Sequence, residues 1–338
     1  MTTMNTRILK SLLFASLILC SGCERLDIGG IFGGCHPHHE ARFKHSILWN
    51  KANCAAKGLE DDCLAHIHSK YDTYQIYWAA DLHIAGEGQT VMLDTLVSMA
   101  MGNHNIGGKV YATGDTCTAV IFAGDIIDAK NNYPVFYRHI KPLEDAGIPV
   151  FCTPGNHDLC FGQWTEYVEH WHTSCYWFDI TTPSGDKDLY ISCDSGDATL
   201  GAKQFNWLKD LLAKKVKEGY RHIIFFTHTH MFKRDSNQAH AAGYNMEEIY
   251  ELTYLFSKYG VKYYVCGHDH THEETTYKNV IYYTIGAMKD SYLGKAAYMT
   301  MTMFDSYGQD VAPIYVELHR MSGENYVIWD ESYLEDPK

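Results

Sequence analysis

The sequence predicts an α/β fold that gathers polar side chains at the C-terminal ends of its strands. Three observations carry that prediction. From Thr73 onward, short apolar runs alternate with helix-period segments, which argues for parallel strands joined by crossover helices. Five of those runs end in aspartate, asparagine or histidine, where open α/β sheets bind ligands. A hydrophobic fraction of 46% supports a substantial core.

The chain opens with Arg7 and Lys10, an apolar run from Leu12 to Cys20, then Ser21-Gly22-Cys23. A basic start, a short apolar stretch and small residues before a cleavage point describe a secretory signal. Ser21-Gly22-Cys23 resembles a bacterial lipobox, with Cys23 as the lipidated residue and Cys20 at a position where leucine is commoner. The apolar run is well short of the ~20 residues that span a bilayer. The expected organisation is a lipoprotein signal peptide over 1–22, a flexible tether over 23–43 and one domain over 44–338. An exported cell-envelope protein follows, periplasmic or outer-membrane anchored, touching the membrane through its N-terminal lipid. Gly29-Gly30 and Gly33-Gly34 suit a tether. The cluster Cys35-His36-Pro37-His38-His39 lacks the spacing of a metal site.

The formal charge is −13, and removing 1–22 with Arg7 and Lys10 makes the remainder two units more negative. Such a body repels polyanions, so nucleic acid is an unlikely partner. Small phosphorylated substrates stay open, because bound cations reverse a local field. Of the 11 cysteines, Cys117, Cys152, Cys193 and Cys266 lie in or beside apolar runs and read as core residues. In an exported protein Cys54 with Cys63, or Cys160 with Cys175, could bridge.

Gln75 to Ala80 reads as a strand ending at Asp81-Leu82-His83. Gln89 to Met101 has the period of an amphipathic helix, through Val91, Met92, Leu96, Val97 and Ala100. The run Ala119 to Ala123 is a buried strand delivering Asp125 and Asp128 beyond Gly124. A helix over Val135 to Ala146 leads to the strand Pro149 to Cys152, which ends in Gly155-Asn156-His157-Asp158. Tyr176 to Ile180 and Asp188 to Cys193 form a hairpin-like step, and Gln204 to Val216 is a helix. His222 to Phe226 is a strand ending in Thr227-His228-Thr229-His230. Met246 to Tyr259 is a helix closed by Gly260, and Lys262 to Cys266 is a strand ending in Gly267-His268-Asp269-His270. Val280 to Thr284, Tyr298 to Phe304, Pro313 to His319 and Tyr326 to Trp329 complete the sheets.

The five strand ends therefore carry Asp81 and His83, Asp125 and Asp128, Asn156 and His157, His228, and His268 and His270. Carboxylate, imidazole and amide oxygen suit hard or borderline divalent ions, and no thiolate is among them. They are more ligands than one ion uses, which favours two metals sharing Asp125. A single histidine or aspartate of this kind is ordinarily a surface group or a helix cap. Scattered positions, not five consecutive strand ends, would follow from that.

Taken together, Asp81-Leu82-His83, Gly124-Asp125-Ile126-Ile127-Asp128, Gly155-Asn156-His157-Asp158, His228 and Gly267-His268-Asp269-His270 resemble, in order, the motifs of the calcineurin-like metallophosphoesterases. The resemblance runs from about Thr73 to Gly286. It implies a four-layer α-β-β-α sandwich of two mixed β-sheets with a dinuclear metal site at the strand C-terminal ends. It further implies that Asp81, His83, Asp125 and His270 hold one metal and that Asp125, Asn156, His228 and His268 hold the other. His157 would stand beside the metals, oriented by Asp128, and Asp158 would support its loop. The implied reaction is hydrolysis of phosphate mono- or diesters by a metal-bridging hydroxide, with His157 assisting the leaving group. The cofactors would be two divalent or mixed-valence ions, Mn, Fe or Zn. Purple acid phosphatases have tyrosine where Asp128 stands, which disfavours their iron(III) charge-transfer site here.

Gly102-Asn103-His104-Asn105 and Gly114-Asp115 copy parts of the motifs without following an apolar strand, and read as loops. His230 competes with His228, which lies nearer its strand end. Substrate choice would rest on variable segments: Phe161 to Trp177, rich in aromatics and containing His170 and His172, and Lys233 to Tyr244, with Arg234 and His240. Two other readings are a non-catalytic metal- or phosphate-binding envelope lipoprotein, which would not need His157 and Asp128, and an exonuclease of the same superfamily, for which the chain lacks a basic stripe.

Overall fold

The computed structural model describes residues 37–102, 105–106, 109–110, 117–128, 131–160, 163–233, 244–290, 297–303, 314–322 and 325–329. Residues 1–36 with Cys23, His104, Asp115, Phe161 and the segment of Arg234 and His240 lie outside them.

In chain order the elements are α1 (His39–Lys57), β1 (Cys63–His68), β2 (Tyr74–Ala79), α2 (Val91–Ala100), β3 (Asn105–Ile106), β4 (Lys109–Val110), β5 (Cys117–Phe122), α3 (Tyr133–Asp145), β6 (Val150–Cys152) and α4 (Trp164–His170). They continue with β7 (Tyr176–Thr181), β8 (Lys187–Ser192), α5 (Gly201–Lys215), β9 (His222–Phe226), α6 (Met246–Tyr259), β10 (Val261–Cys266), β11 (Glu273–Tyr277), β12 (Val280–Thr284), β13 (Ala297–Met303), β14 (Ile314–Ser322) and β15 (Asn325–Trp329).

Two mixed sheets result. One has the order β1-β7-β8-β9-β10-β12-β11, the other β15-β14-β13-β2-β5-β6. β2, β5 and β6 are parallel neighbours, as are β8, β9, β10 and β12. β13 is antiparallel to β2 and β14. All six residues of β2 are buried, and successive side chains go to opposite faces. Ile76 and Trp78 enter a core between the sheets with Ile121, Phe178, Phe226 and Met299. Tyr77 and Ala79 face an outer core with Leu93, Leu96, Phe136 and Ile140 from α2 and α3. A second outer core joins Leu189 and Phe225 to Leu208, Leu212, Leu252 and Phe256 of α5 and α6. Strands covered on both faces read as continuous apolar runs, and full burial of a side chain such as Ile76 is worth about 1.5–3 kcal/mol. The layers are thus helix, sheet, sheet, helix.

Three expectations need correction. The tether over 23–43 gives way to helix at His39. The buried positions of α1 are His39, Arg42, Ser46, Asn50 and Cys54, a helical stripe made of polar residues and one thiol. Arg42, 0% exposed, donates from Nε and Nη2 to Asp194 (2.7 and 3.1 Å) and from Nη1 to Asp197 (2.9 Å). Asn50 Nδ2 donates to the Cys175 carbonyl at 2.7 Å. Hydrogen bonds and ion pairs hold this helix in place, so hydrophobic periodicity does not reveal it. Second, neither proposed cysteine pair is bridged: Cys54, Cys63, Cys160 and Cys175 are free, and Cys54 Sγ donates instead to the Cys63 carbonyl at 3.1 Å. Third, the aromatic stretch before Trp177, expected as a variable loop, contains α4, and Trp164, Tyr167, Tyr176 and Trp177 are buried core residues. Among the described residues no helix is long and apolar enough to cross a membrane.

Candidate metal centre

The loops after β2 and β5 continue the pairing of their strands. Asp81 N donates to the Gly124 carbonyl at 3.0 Å, His83 N to the Asp125 carbonyl at 3.1 Å and Ile84 N to the Ile126 carbonyl at 3.0 Å. Five predicted site residues adopt left-handed backbone: Asp81 (φ 54°), His83 (49°), Asp125 (52°), His268 (77°) and His270 (60°). Such residues cost about 1–3 kcal/mol each and gather where function holds them. Two glycines allow the close approach. Gly124 has φ 87°, and a Cβ there would stand 2.6 Å from His228 Nδ1. At Gly155 a Cβ would overlap the Asp125 carboxylate.

The strand ends converge on two linked clusters, Asp81 with His83 and His270, and Asp125 with His228 and His268, the ligand atoms within each lying within 4.8 Å of one another. Each aspartate is divided in the same way. Asp81 Oδ2 accepts from the His268 amide at 2.9 Å, leaving Oδ1 at 3.5 Å from His270 Nε2 and 3.9 Å from His83 Nε2. Asp125 Oδ1 accepts from the His157 amide at 2.8 Å. Its Oδ2 lies 3.3 Å from His228 Nε2 and 3.8 Å from His83 Nε2, between the two clusters. His83 Nε2 and His270 Nε2 are 2.9 Å apart, and His228 Nε2 and His268 Nδ1 are 3.1 Å apart.

Imidazole nitrogens this close, with aspartate oxygens beside them, form groups that could hold a metal ion. Asp81 Oδ1 and Asn156 Oδ1 are buried with no hydrogen-bond partner, and an unpaired buried acceptor is costly. The donor set of oxygen and imidazole nitrogen suits divalent transition metals. The residues therefore fit a dinuclear metal group.

The electrostatics agree. Burial would raise the Asp125 carboxyl, but the charge and hydrogen bond of His228, then His157 and His83, hold it well below the usual carboxylate range. Burial likewise opposes charge on His228, and Asp125 outweighs it and lifts the ring to about 10. These two shifts describe one interaction. Burial, with His228 beside it, takes His268 down to about 4. Burial lowers His83, while the Asp81 carboxylate, 3.5 Å away, raises His270. A metal ion takes the place of protons on such rings.

His157 and Asp128 flank the first cluster. Asp128 Oδ1 lies 2.7 Å from His83 Nδ1 and 2.9 Å from His157 Nδ1. One carboxylate oxygen thus faces both the His157 and the His83 ring. His157 is 41% exposed at its side chain, open to a substrate. Asp158 is a scaffold: it accepts from Gly155 N (2.8 Å), Ile126 N (3.0 Å) and Tyr133 Oη (2.8 Å). His230 is buried, its ring centroid 5.5 Å from that of His268 and both ring nitrogens lacking a hydrogen-bond partner. It joins neither cluster, whereas His228 does. Two contributors had no signal in the sequence. Ser195 Oγ accepts from Thr229 N at 2.9 Å and Thr227 Oγ1 at 2.7 Å, setting the loop of His228. Lys289 Nζ donates to Asp128 Oδ2 at 3.1 Å.

Several solved structures are similar. A dimetal phosphatase of Danio rerio aligns at 11% identity and TM-score 0.51, covering 76% of this chain and 98% of its own. A purple acid phosphatase from yellow lupin (Lupinus luteus) seeds aligns at 14% identity and TM-score 0.55, covering 77% of this chain and 53% of its own. GAP50, the anchor in the inner membrane complex of Plasmodium, aligns at 14% and 0.52, covering 76% and 88%. At these identities the likeness shows the fold. No curated protein sequence matches. The calcineurin-like phosphoesterase family matches over residues 74–272, a span that takes in every cluster residue and more than half of the sequence, and the chain belongs to that family.

Proposed function

We propose that the protein is a metal-dependent phosphoesterase that hydrolyses phosphate mono- or diesters, with His157 assisting the leaving group. The observation that carries this reading is Asp125 Oδ2, which is shared between two ligand clusters and stands behind an exposed histidine already paired with a carboxylate. Asp81, His83, Asp125 and His270 would hold one ion, and Asp125, Asn156, His228 and His268 the other. Bound there, two Mn, Fe or Zn ions supply Lewis acidity toward phosphoryl oxygens and acidify water.

The residues do the rest. Asp128 Oδ1, 2.9 Å from His157 Nδ1, would orient the ring. As the water oxygen bonds to phosphorus, giving up one proton to solvent, and the ester P–O bond breaks, the protonated His157 ring would give its Nε2 proton to the departing oxygen and be left neutral with the proton on Nδ1. Such a transfer is typically worth ~10²–10⁴ in rate. The Danio rerio and lupin proteins are both phosphatases, which supports the reading at the level of chemistry.

The test is elemental analysis of the protein purified without chelator, alongside hydrolysis of mono- and bis(nitrophenyl) phosphate. About two metals per chain and chelator-sensitive turnover are expected, with His157→Ala keeping metal and losing most turnover on an alkyl phosphate, whose leaving oxygen needs a proton. An unchanged kcat of His157→Ala on the alkyl ester would remove that residue from the chemistry, and failure to bind metal under any supplementation would end the proposal.

The N-terminal pattern of Arg7, Lys10, Leu12 to Cys20 and Cys23 supports a cell-envelope setting, with the enzyme anchored through lipid on Cys23. Labelled fatty acid should enter the wild-type protein and not Cys23→Ser.

A further inference from the structure

A lysine beside a catalytic carboxylate is either a mobile surface group or a part with a fixed place, and the backbone around Lys289 decides which. On one side of it, Met288 N donates to the Ala80 carbonyl at 3.0 Å, one residue before the metal-cluster aspartate. On the other, the Asp290 carboxylate accepts from Val91 N and Met92 N, both at 2.9 Å, and so caps α2, whose own N-cap Thr90 makes no side-chain cap bond. The lysine is pinned from both directions. Its ammonium lies 3.1 Å from Asp128 Oδ2, with 25% and 27% of the two side chains exposed.

Asp128 is an acceptor only. Its Oδ1 lies 2.7 Å from His83 Nδ1 and 2.9 Å from His157 Nδ1, so one oxygen faces both rings, while His83 Nε2 points to the ligand cluster. A carboxylate held through one oxygen can pivot, and it could follow either ring or swing its second oxygen toward the metals. The contact on Oδ2 removes that freedom.

We propose that Lys289 is a positioning residue that locks the Asp128 carboxylate and, through it, the direction of the His157 ring for proton delivery to the leaving oxygen; this rests on the phosphoesterase reading above. The group does not need to touch substrate. It acts through Asp128, in the way outer partners orient the histidines of metal sites.

The experiment compares full-length wild-type protein with Lys289→Met, Lys289→Arg and Lys289→Gln, the last serving if the methionine variant does not fold. Metal content should be unchanged. With an alkyl phosphate, whose leaving oxygen needs a proton, kcat should fall about tenfold, a part of the general-acid contribution. With nitrophenyl phosphate, which leaves as an anion, the loss should stay below about threefold. KM should hold in both cases, Lys289→Arg should recover most of the loss, and Lys289→Met should add nothing to His157→Ala. Equal losses on the two esters, or a raised KM with kcat intact, would overturn the proposal; the second result would make Lys289 a contact for the substrate anion. A further readout is independent of turnover. In zinc-loaded protein the ring N–H proton of His157, assigned by its disappearance in His157→Ala, should be visible by NMR and lost in Lys289→Met. If wild type hydrolyses neither ester, the function reading fails on its own. The ring proton then decides the positioning, and its persistence in Lys289→Met would refute it.

Discussion

The two ligand clusters fix their histidines by different means. In the second cluster His228 is fully buried, and its Nδ1 is 2.8 Å from the Ala123 carbonyl. A backbone carbonyl orients the ring, and substitution of a side chain cannot remove it. In the first cluster the corresponding partner of His83 is a side chain, Asp128, which also faces His157 and Lys289. One cluster is therefore built into the strand end. The other is coupled through the Asp128 carboxylate to His157, so under the proposed function loss of that carboxylate should disturb metal binding and proton delivery together, whereas loss of a second-cluster partner should disturb metal binding alone.

The largest effect should come from Asp125, whose Oδ2 lies between the two clusters. Asp125→Asn keeps the shape but gives up the charge that faces His228 and His83. Loss of an outer partner typically costs about 10–100-fold in metal affinity or activity, so a shared first ligand should cost well over a hundredfold. Metal content by elemental analysis should fall toward zero rather than toward one. Retention of one full equivalent would mean that the clusters do not share this carboxylate.

Asp128→Asn comes next, and it tests the asymmetry itself. The amide can no longer accept equally from two imidazole donors and a lysine, so kcat should drop by roughly 10–100-fold. Metal loss should be confined to one equivalent, leaving the second cluster with its backbone-oriented His228. Equal loss of both ions would show that the clusters are not independent.

The same contrast explains what could be read from the chain. The metal side chains stand at the ends of apolar runs such as Cys117–Phe122 and His222–Phe226, so their position along the sequence nearly equals their position in space. α6 was equally plain, with an apolar stripe and Asn245 and Gly260 at its ends. α1 was not, because Arg42, Ser46 and Asn50 face inward, and periodicity searches register apolar side chains only. The Asp128–Lys289 pair was invisible for another reason. Its members are 161 residues apart, and they meet only because β12 returns the chain to the first cluster's side of the site.

The smallest effect is expected at His230, the histidine that competed with His228 two residues away. It is buried and lies beside His268, yet its Nε2 is 4.0 Å from Asp269 Oδ1 and it belongs to neither cluster. Burial lowers its pKa, which disfavours charge on the ring. His230→Gln keeps a polar side chain of similar reach, and at this buried position a cost of about 1 kcal/mol is expected for repacking. Two metals per chain and a kcat within about threefold of wild type should remain, since about 1.4 kcal/mol is needed for a tenfold change. His228→Gln, two residues earlier, should lose the second metal. If the two variants exchanged these outcomes, the second cluster would be built on His230, and the backbone-oriented half of the comparison would fall.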